Sequence, residues 1–388
     1  MNYDVIVIGG GMIGLTMALG LKQQGRSVMV IEQHEQPALP NELELRVSAL
    51  NHRSRALLDE LGVWPLVSDF RIGPYTDMHV WDKDSPADIH FSATEANADD
   101  LGAITENRVL EHFLWQRAEA AGVVITKTAQ WRLRDCGSAQ QAAEIEYGEQ
   151  QRAQAQLIIG ADGGRSRLRQ QAGLTVRFWD YEQVGVVANL RMEKPHNGVA
   201  RQVFLPTGPL ALLPTPDTDV VSIVWSMDSS LALTRLANKA RLAPFVTAES
   251  GRCLGEAELI SDVKGFPLRM QYAQQWHAQR VVLVGDAAHT IHPLAGQGAN
   301  LGFADCVCLL ENLQQRELAD LSSLTRSLGR YQRERKADTQ TMIAAMELFK
   351  RGFGTSNPWI KAVRSLGFLA AERITPIKQK LAEVALGR

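Results

Sequence analysis

The residues that could do chemistry in this chain are first of all glycines followed by an acid. Gly9, Gly11 and Gly14 stand in a G-x-G-x-x-G spacing, directly after the apolar run Tyr3 to Ile8 and ahead of the helical pattern Leu15 to Lys22. A second apolar run, Val28 to Ile31, ends on Glu32, eighteen residues past Gly14. Strand, glycine turn, helix, strand and acid in this order are the parts of a dinucleotide site. One glycine makes the tight turn, one lets the backbone approach a pyrophosphate, and one lets helix and strand pack closely. The helix start aims free N–H groups at phosphate, and the acid is at the spacing that holds a ribose hydroxyl.

Two later stretches repeat the theme of a strand ending in glycine and aspartate. Leu157-Ile158-Ile159 runs into Gly160-Ala161-Asp162-Gly163, where Asp162 can orient backbone groups and water and Gly163 admits a bulky ligand. The alternative is a plain Asp-Gly turn. Val281 to Val284 runs into Gly285-Asp286, followed by Pro293, Gly296, Gly298 and Asn300. Asp286 can accept from ribose or ribityl hydroxyls, and Gly296, Gly298 and the next helix start can face a flat anionic ring edge. His289 and His292 have the spacing of a metal pair, but no cysteine or carboxylate completes it, so His289 reads as a packed, hydrogen-bonded histidine.

The elements that must position these groups are mixed. A polar loop spans Gln33 to Glu44, Leu45 to Leu50 leads into a helix over Asn51 to Leu61, and Glu106 to Ala121 is an amphipathic helix. Met78 to Trp81 and Ile89 to Phe91 read as a strand pair, and 128 to 159 as a small antiparallel sheet. From about Tyr181 the chain turns β-rich, with Val184 to Leu190, Ala200 to Phe204, Leu210 to Leu213 and Val220 to Trp225 split by Pro206, Gly208, Pro214 and Pro216. A helix over Leu231 to Ala248 and a strand near Leu259 to Phe266 follow, and from Ala299 the chain reads as mostly helical. The fold class is α/β: a Rossmann-like cofactor domain over 1–70, 100–180 and 270–350, a β-sheet substrate domain over 71–99 and 181–269, and a helical tail over 351–388.

Length and composition fit an ordinary soluble globular protein of two or three domains: 388 residues, 45% hydrophobic and 22% charged. A net charge of −2 gives no bulk attraction to nucleic acid, which is not expected as a partner. The cysteines Cys136, Cys253, Cys306 and Cys308 form no C-x-x-C pair, which fits a reducing compartment. No apolar run reaches the roughly 18 residues of a membrane span, and no signal peptide is evident, so the expected location is the cytoplasm with any membrane contact peripheral. Residues 350–388 carry eight Lys or Arg against two Glu, and Ile374, Ile377, Leu381 and Val384 recur at helical spacing behind Thr375 and Pro376. Such a tail either rests on anionic lipid or a partner, or docks on the core as a terminal helix.

The three motifs, in this order and spacing, resemble the FAD-dependent aromatic monooxygenases of the para-hydroxybenzoate hydroxylase type over nearly the whole chain. Arg46 to Asn51, Leu61 to Trp64, Trp81 to Ser85, Phe178 to Tyr181, Val199 to Phe204 and His289 to Gly298 resemble the ubiquinone-biosynthesis hydroxylases, and the Trp81 and Phe178 stretches look most like the branch that hydroxylates C5 of a polyprenylphenol.

The resemblance implies FAD, with Glu32 on the adenosine ribose, Arg46 and Arg108 at the phosphates and ribityl chain, Asp286 at the ribityl or pyrophosphate part, and Gly298 and Asn300 along the flavin ring, whose face Pro293 would line. It also implies that a C4a-hydroperoxide of the reduced flavin delivers OH to the phenol ring, with electrons from NAD(P)H or a partner reductase and O2 as co-substrate, within a possible biosynthetic complex. No catalytic acid or base is assigned. Leu205, Leu212 and Trp225 are the substrate-pocket candidates, against plain core packing. The competing readings are a soluble phenol or hydroxybenzoate hydroxylase with Arg201 or Arg269 holding a carboxylate, and a non-catalytic FAD-binding scaffold. A flavin halogenase is disfavoured because no W-x-W-x-I-P stretch is present.

Overall fold

The opening run forms strand β1 (Asn2–Ile8), whose last four residues are buried on both faces, the pattern of a strand sandwiched between helix layers. A computed structural model describes residues 1–85, 88–291 and 298–353, with the backbone alone for Tyr181 and 345–353. Helix α1 (Met12–Gln23) follows, then β2 (Val28–Glu32), β3 (Val47–Leu50), α2 (His52–Glu60) and α3 (Trp64–Phe70). Next come β4 (Gly73–Tyr75), β5 (Asp77–Asp82), β6 (Asp88–Ser92), β7 (Gly102–Glu106), α4 (Asn107–Ala120) and β8 (Val124–Lys127). The middle of the chain holds β9 (Trp131–Asp135), β10 (Ala143–Tyr147), β11 (Gln151–Gly160), α5 (Arg167–Gln171), β12 (Val176–Met192), β13 (Val199–Leu205), β14 (Gly208–Pro214) and β15 (Val220–Asp228). The rest is α6 (Ser229–Ala237), α7 (Leu242–Glu249), β16 (Ala257–Leu259), β17 (Lys264–Ala273), β18 (His277–Ala278), β19 (Val281–Leu283), β20 (His289–Thr290), α8 (Gly298–Leu313) and α9 (Leu321–Phe353).

Two large sheets result. The first has the order β18-β19-β11-β1-β2-β8, with β9 and β10 running antiparallel off β11. Its strands β19, β11, β1, β2 and β8 are parallel, in the register Leu283↔Gly160↔Ile8↔Ile31↔Thr126. Helices α1, α4 and α8 cover one face in a core that includes Leu15, Leu19, Leu110, Leu114, Phe303 and Leu309. The second sheet runs β20-β17-β12-β15-β14-β13-β5-β6 with β16 on β12. Its strands alternate between two cores. Val186, Ala188, Val203, Leu205, Leu210, Leu212, Ile223 and Trp225 pack under α6 and α7, whereas Ala200, Phe204, Ala211 and Leu213 face Ala49, Tyr75 and Ile104 on the cofactor side.

The structure corrects four element expectations. The long helix over 231–248 is two, because Asn238 leaves helical geometry at φ −128° and ψ 66°; Pro244 then sits in the first turn of α7, where a missing N–H costs nothing. The strand near 259–266 is also two, β16 and β17. β12 begins at Val176 and β17 runs on to Ala273, so both cross the expected domain boundaries. Finally, β3, β7 and β4 form a small antiparallel sheet between the two large ones.

Candidate functional site

The register above puts every chemical turn at one place. β1, β11 and β19 are in step, so Gly9, Ala161-Asp162 and Gly285-Asp286 all leave the carboxyl edge of the same parallel sheet, beside Glu32 at the end of β2. That edge, where successive strands feed helices, is where ligands bind in open α/β sheets.

The glycines of the first turn divide into two kinds. A Cβ on Gly14 would lie 1.9 Å from the Gly9 carbonyl oxygen, and one on Gly9, at φ +106°, would lie 2.4 Å from the carbonyl oxygen of Ala161. These two are required by the protein's own packing. A Cβ on Gly11 would meet only Glu111 Oε1, at 3.9 Å, and one on Gly298 would meet nothing within 4 Å. Among the described residues nothing requires those two positions to be bare. A ligand lying against the backbone does, and the starts of α1 and α8 both open there. The site therefore fits a long, phosphate-bearing cofactor.

Glu32 is locked to this turn. Its carboxylate accepts from the backbone N–H of Gly10 (2.5 Å), Gln33 (2.8 Å) and His34 (2.9 Å). Arg46, just ahead of β3, has its guanidinium 5.6 Å over the Phe266 ring, and its charge favours the ionised forms of Asp286 and Glu111. Arg108 pairs with Glu44 at 2.9 Å. Asp162 is spent within the protein: it accepts from Ser166 Oγ (2.5 Å) and from the N–H of Arg167 (2.7 Å) and Leu168 (3.1 Å), capping α5. Gly163, at φ +76°, makes the turn between them.

Asp286 is different. Among the described residues none hydrogen-bonds its carboxylate, which opens to the cleft while protein walls crowd it. That crowding raises its pKa, against the pull of His289 and Arg46. The turn that presents it is held from below. Asp305, fully buried on α8, accepts from the Gly285 N–H (2.9 Å), from His289 Nε2 (2.6 Å) and from Arg335 Nε of α9 (2.7 Å). Burial alone would raise the Asp305 carboxyl; His289 and Arg335 outweigh it and hold it below the usual range. His289 also lies against the Trp276 ring, at a centroid distance of 5.0 Å, the packed histidine its surroundings in the sequence suggested.

Asn300 acts as a strut within the protein. Its Oδ1 accepts from Asn51 N (3.1 Å) and Ser54 Oγ (2.8 Å), and its Nδ2 donates to the Ala49 carbonyl (2.7 Å), tying α8 to the corner between β3 and α2. Leu205, Leu212 and Trp225 lie in the core under α6 and α7, on the face turned away from the cofactor side. Strand alternation gives the opposite face to their neighbours Phe204, Ala211, Leu213 and Val224. Arg201 shares the wrong face: it stands opposite Leu212 and its guanidinium donates to the carbonyls of His196 and Val199. Pro293 and Gly296, with His292 and the tail from Gly354 onward, lie outside the described residues. Sequence reasoning missed Glu111 and Asp305. Each is an acid inside a helix whose neighbours are buried, and an acid on an apolar face needs a cation or N–H groups nearby. Among the described residues no group of His, Cys, Asp and Glu could hold a metal ion, and no helix is long and apolar enough to cross a membrane.

A parallel sheet with three acid-bearing turns at one edge, and a second sheet beside it, defines a dinucleotide-binding protein. Comparison with known proteins narrows this. Residues 2–345 match the model of the FAD binding domain family. The chain is 37% identical to the 3-demethoxyubiquinol 3-hydroxylase of Escherichia coli strain K12, over 99% of this chain and 98% of that one. It is 34% identical to the mitochondrial ubiquinone biosynthesis monooxygenase COQ6 of Xenopus tropicalis, over 98% and 92%. The crystal structure of pqsL, a probable FAD-dependent monooxygenase from Pseudomonas aeruginosa, superposes with a TM-score of 0.78 at 20% identity, covering 95% of this chain and all of that one, a likeness of fold. The chain belongs to the FAD-dependent monooxygenases, in the family of ubiquinone-biosynthesis hydroxylases, and its cofactor is FAD.

Proposed function

We propose that this protein hydroxylates the ring of a polyprenylated phenol on the way to ubiquinone, at C5. Full-length similarity to two ubiquinone-biosynthesis hydroxylases supports the reaction class, and the Trp81 and Phe178 stretches support the ring position. The observation that carries the substrate class is the makeup of the second sheet's cofactor-side face: Ala211, Leu213 and Val224 are apolar, Gln202 and Ser222 beside them are uncharged, and Arg201 is turned away. A carboxylated substrate calls for a cation there, whereas a prenylphenol does not. Hydroxylation of a demethoxyubiquinol is the second reading, favoured by the name of the E. coli relative.

In this reading Gly11 and the start of α1 receive the pyrophosphate, and Glu32 holds the adenosine ribose. Arg46 neutralises phosphate, Asp286 accepts from ribityl hydroxyls, and the start of α8 at Gly298 faces the ring edge. FAD supplies the oxygen-activating chemistry when bound; the chain's own residues bind it, orient it and keep water from the reacting face. The described residues contain no second dinucleotide turn, so NAD(P)H visits transiently or a partner reductase delivers the electrons. Membership of a biosynthetic complex and peripheral membrane contact belong to the same proposal.

Deleting the gene and identifying the accumulated quinone precursor by mass spectrometry tests this. The expected result is a precursor lacking only the C5 hydroxyl, restored by the intact gene. A demethoxy precursor moves the assignment to the second reading, and a normal quinone pool overturns both.

A further inference from the structure

One acid at the cofactor edge has no task in the account so far. Glu32 is held by three backbone N–H groups, Asp162 caps α5, and Asp286 is presented to the cleft by the turn that Asp305 supports. Glu111 projects from α4, half-buried, and among the described residues it makes no hydrogen bond and no ion pair.

Its place is defined from Gly11. Apart from the chain neighbours of Gly11, the one described heavy atom within 4 Å of where a Cβ on that glycine would stand is Glu111 Oε1, at 3.9 Å. Gly11 is the N-cap of α1 and has no side chain with which to cap the first turn. The Glu111 carboxyl therefore borders the open space at the start of α1, where free N–H groups await an anion. While that space is empty, the helix start favours a carboxylate there. Once a pyrophosphate arrives, two more negative charges compete for the same N–H groups and the same cations, and such crowding drives one of the acids to neutrality. A phosphodiester takes up no proton near neutral pH, whereas a carboxyl can.

The surroundings point the same way. Burial raises the Glu111 carboxyl above its ordinary value against the pull of Arg46; Glu32 adds to the rise, and Arg108 and His34 oppose it. Arg108 already pairs with Glu44 at 2.9 Å. Arg46 makes no ion pair among the described residues, and one arginine does not neutralise a pyrophosphate and a carboxylate together.

We propose that Glu111 takes up a proton when FAD binds and, as a carboxylic acid, donates a hydrogen bond to the pyrophosphate. The inference rests on the placement of the pyrophosphate at Gly11 and is independent of the substrate ring. The proton comes from solvent and no covalent bond of the cofactor changes. FAD is consequently held more tightly at low pH than at high pH. Two other groups at the site have their own linkage to pH. His34 carries an imidazole, a group that titrates in the same range, and Asp286 releases a proton if it ionises to accept from the ribityl hydroxyls, which is the opposite sign.

Titration calorimetry of apoprotein with FAD, in two buffers of different ionisation enthalpy, counts the protons, and flavin fluorescence quenching from roughly pH 6 to 8 gives Kd. Wild type should take up about one proton per FAD more than Glu111→Gln or Glu111→Ala, and its Kd should rise at least about tenfold more over that range than theirs. Glu111→Gln, whose amide donates at every pH, should bind at least about tenfold more tightly than wild type near pH 8, and Glu111→Ala should share its flat profile at weaker affinity. His34→Gln should keep most of the uptake. A wild-type count within about 0.2 proton of both Glu111 variants overturns the proposal, as does uptake that vanishes in His34→Gln instead. Equal affinity of the Ala and Gln variants overturns the hydrogen bond. Gly11→Ala separates the placement from the proton. If that variant binds FAD as wild type does, the placement falls and the proposal with it. If it loses FAD while wild type and Glu111→Gln give equal proton counts, the placement stands and the proposal alone falls.

Discussion

The Gly-Asp turns that close β11 and β19 are alike in sequence and stand side by side at one sheet edge, in the register Gly160↔Leu283. Asp162 turns inward, its Oδ2 capping α5 and its Oδ1 accepting from the Ser166 hydroxyl. Asp286 turns outward and is left without a described partner, because another acid does the structural work for its turn: Asp305 binds the Gly285 N–H and His289 from beneath. The difference is one of division of labour. Where a turn must satisfy its own backbone, its aspartate is consumed; where a second acid satisfies it from the core, the aspartate is released toward a ligand. Motif spelling alone does not separate the two cases.

Breaking the support should have the largest effect. Asp305→Ala leaves Arg335 and His289 buried without their acceptor, and the expected loss is about 3–5 kcal/mol of stability, read by urea denaturation of the apoprotein. An unchanged midpoint would mean that Asp305 does not carry the turn. Asp286→Ala should do the reverse, leaving stability within about 0.5 kcal/mol while FAD retention falls at least about tenfold, measured by flavin fluorescence after gel filtration. Full occupancy in that variant would erase the contrast. Asp162→Ala should cost about 1 kcal/mol, the worth of a helix cap, with FAD affinity changed much less than by Asp286→Ala; a circular-dichroism melt and the same flavin assay check this.

The smallest effect is in pH. Asp286 has its folded pKa raised, so the folded state keeps that proton longer than the unfolded one. Its contribution is most favourable below the ordinary carboxylate range and declines as pH rises toward the folded value. Asp305 has its folded pKa lowered, so its contribution is present above the ordinary range and is lost as pH falls through the folded value. Melting of the apoprotein over roughly pH 3 to 7 should show Asp286→Asn gaining on wild type as pH rises above the ordinary carboxylate range, and Asp305→Asn losing ground at the lower end, as pH rises up to that range. Parallel curves for the two variants would contradict these opposite signs.

How much of this was legible in the sequence follows from how local each signal is. The run from β1 through α1 to Glu32 was readable because its strand, helix and turn signals all lie within a few residues of one another. The three motifs were readable by order, although only the register shows that they converge. The sheet of β3, β7 and β4 was not, since strands of three to five residues with distant partners have no periodicity to detect. Leu205, Leu212 and Trp225 were recognised as buried but put on the wrong face, because alternation says which residues share a side and not which side meets the cofactor. Asn300 was found by its place in a motif, yet its amide is already engaged by Ala49, Asn51 and Ser54. Asp305 and Arg335 belong to no recognised turn, and only their burial discloses them.

The parallel register also sets an order of events in time. β1 pairs with β11, and β11 with β19, so the three strands whose ends form the site come from residues 2–8, 151–160 and 281–283. Contacts so far apart in sequence form late, and a growing chain that has not yet reached Val281 has two of its three turns and an open strand edge on β11. Acquisition of the flavin is therefore bound to the docking of the last strand. In refolding with FAD present, amide protection in β19 should rise together with flavin quenching, and quenching that comes first would show that the cofactor instead recruits the strand.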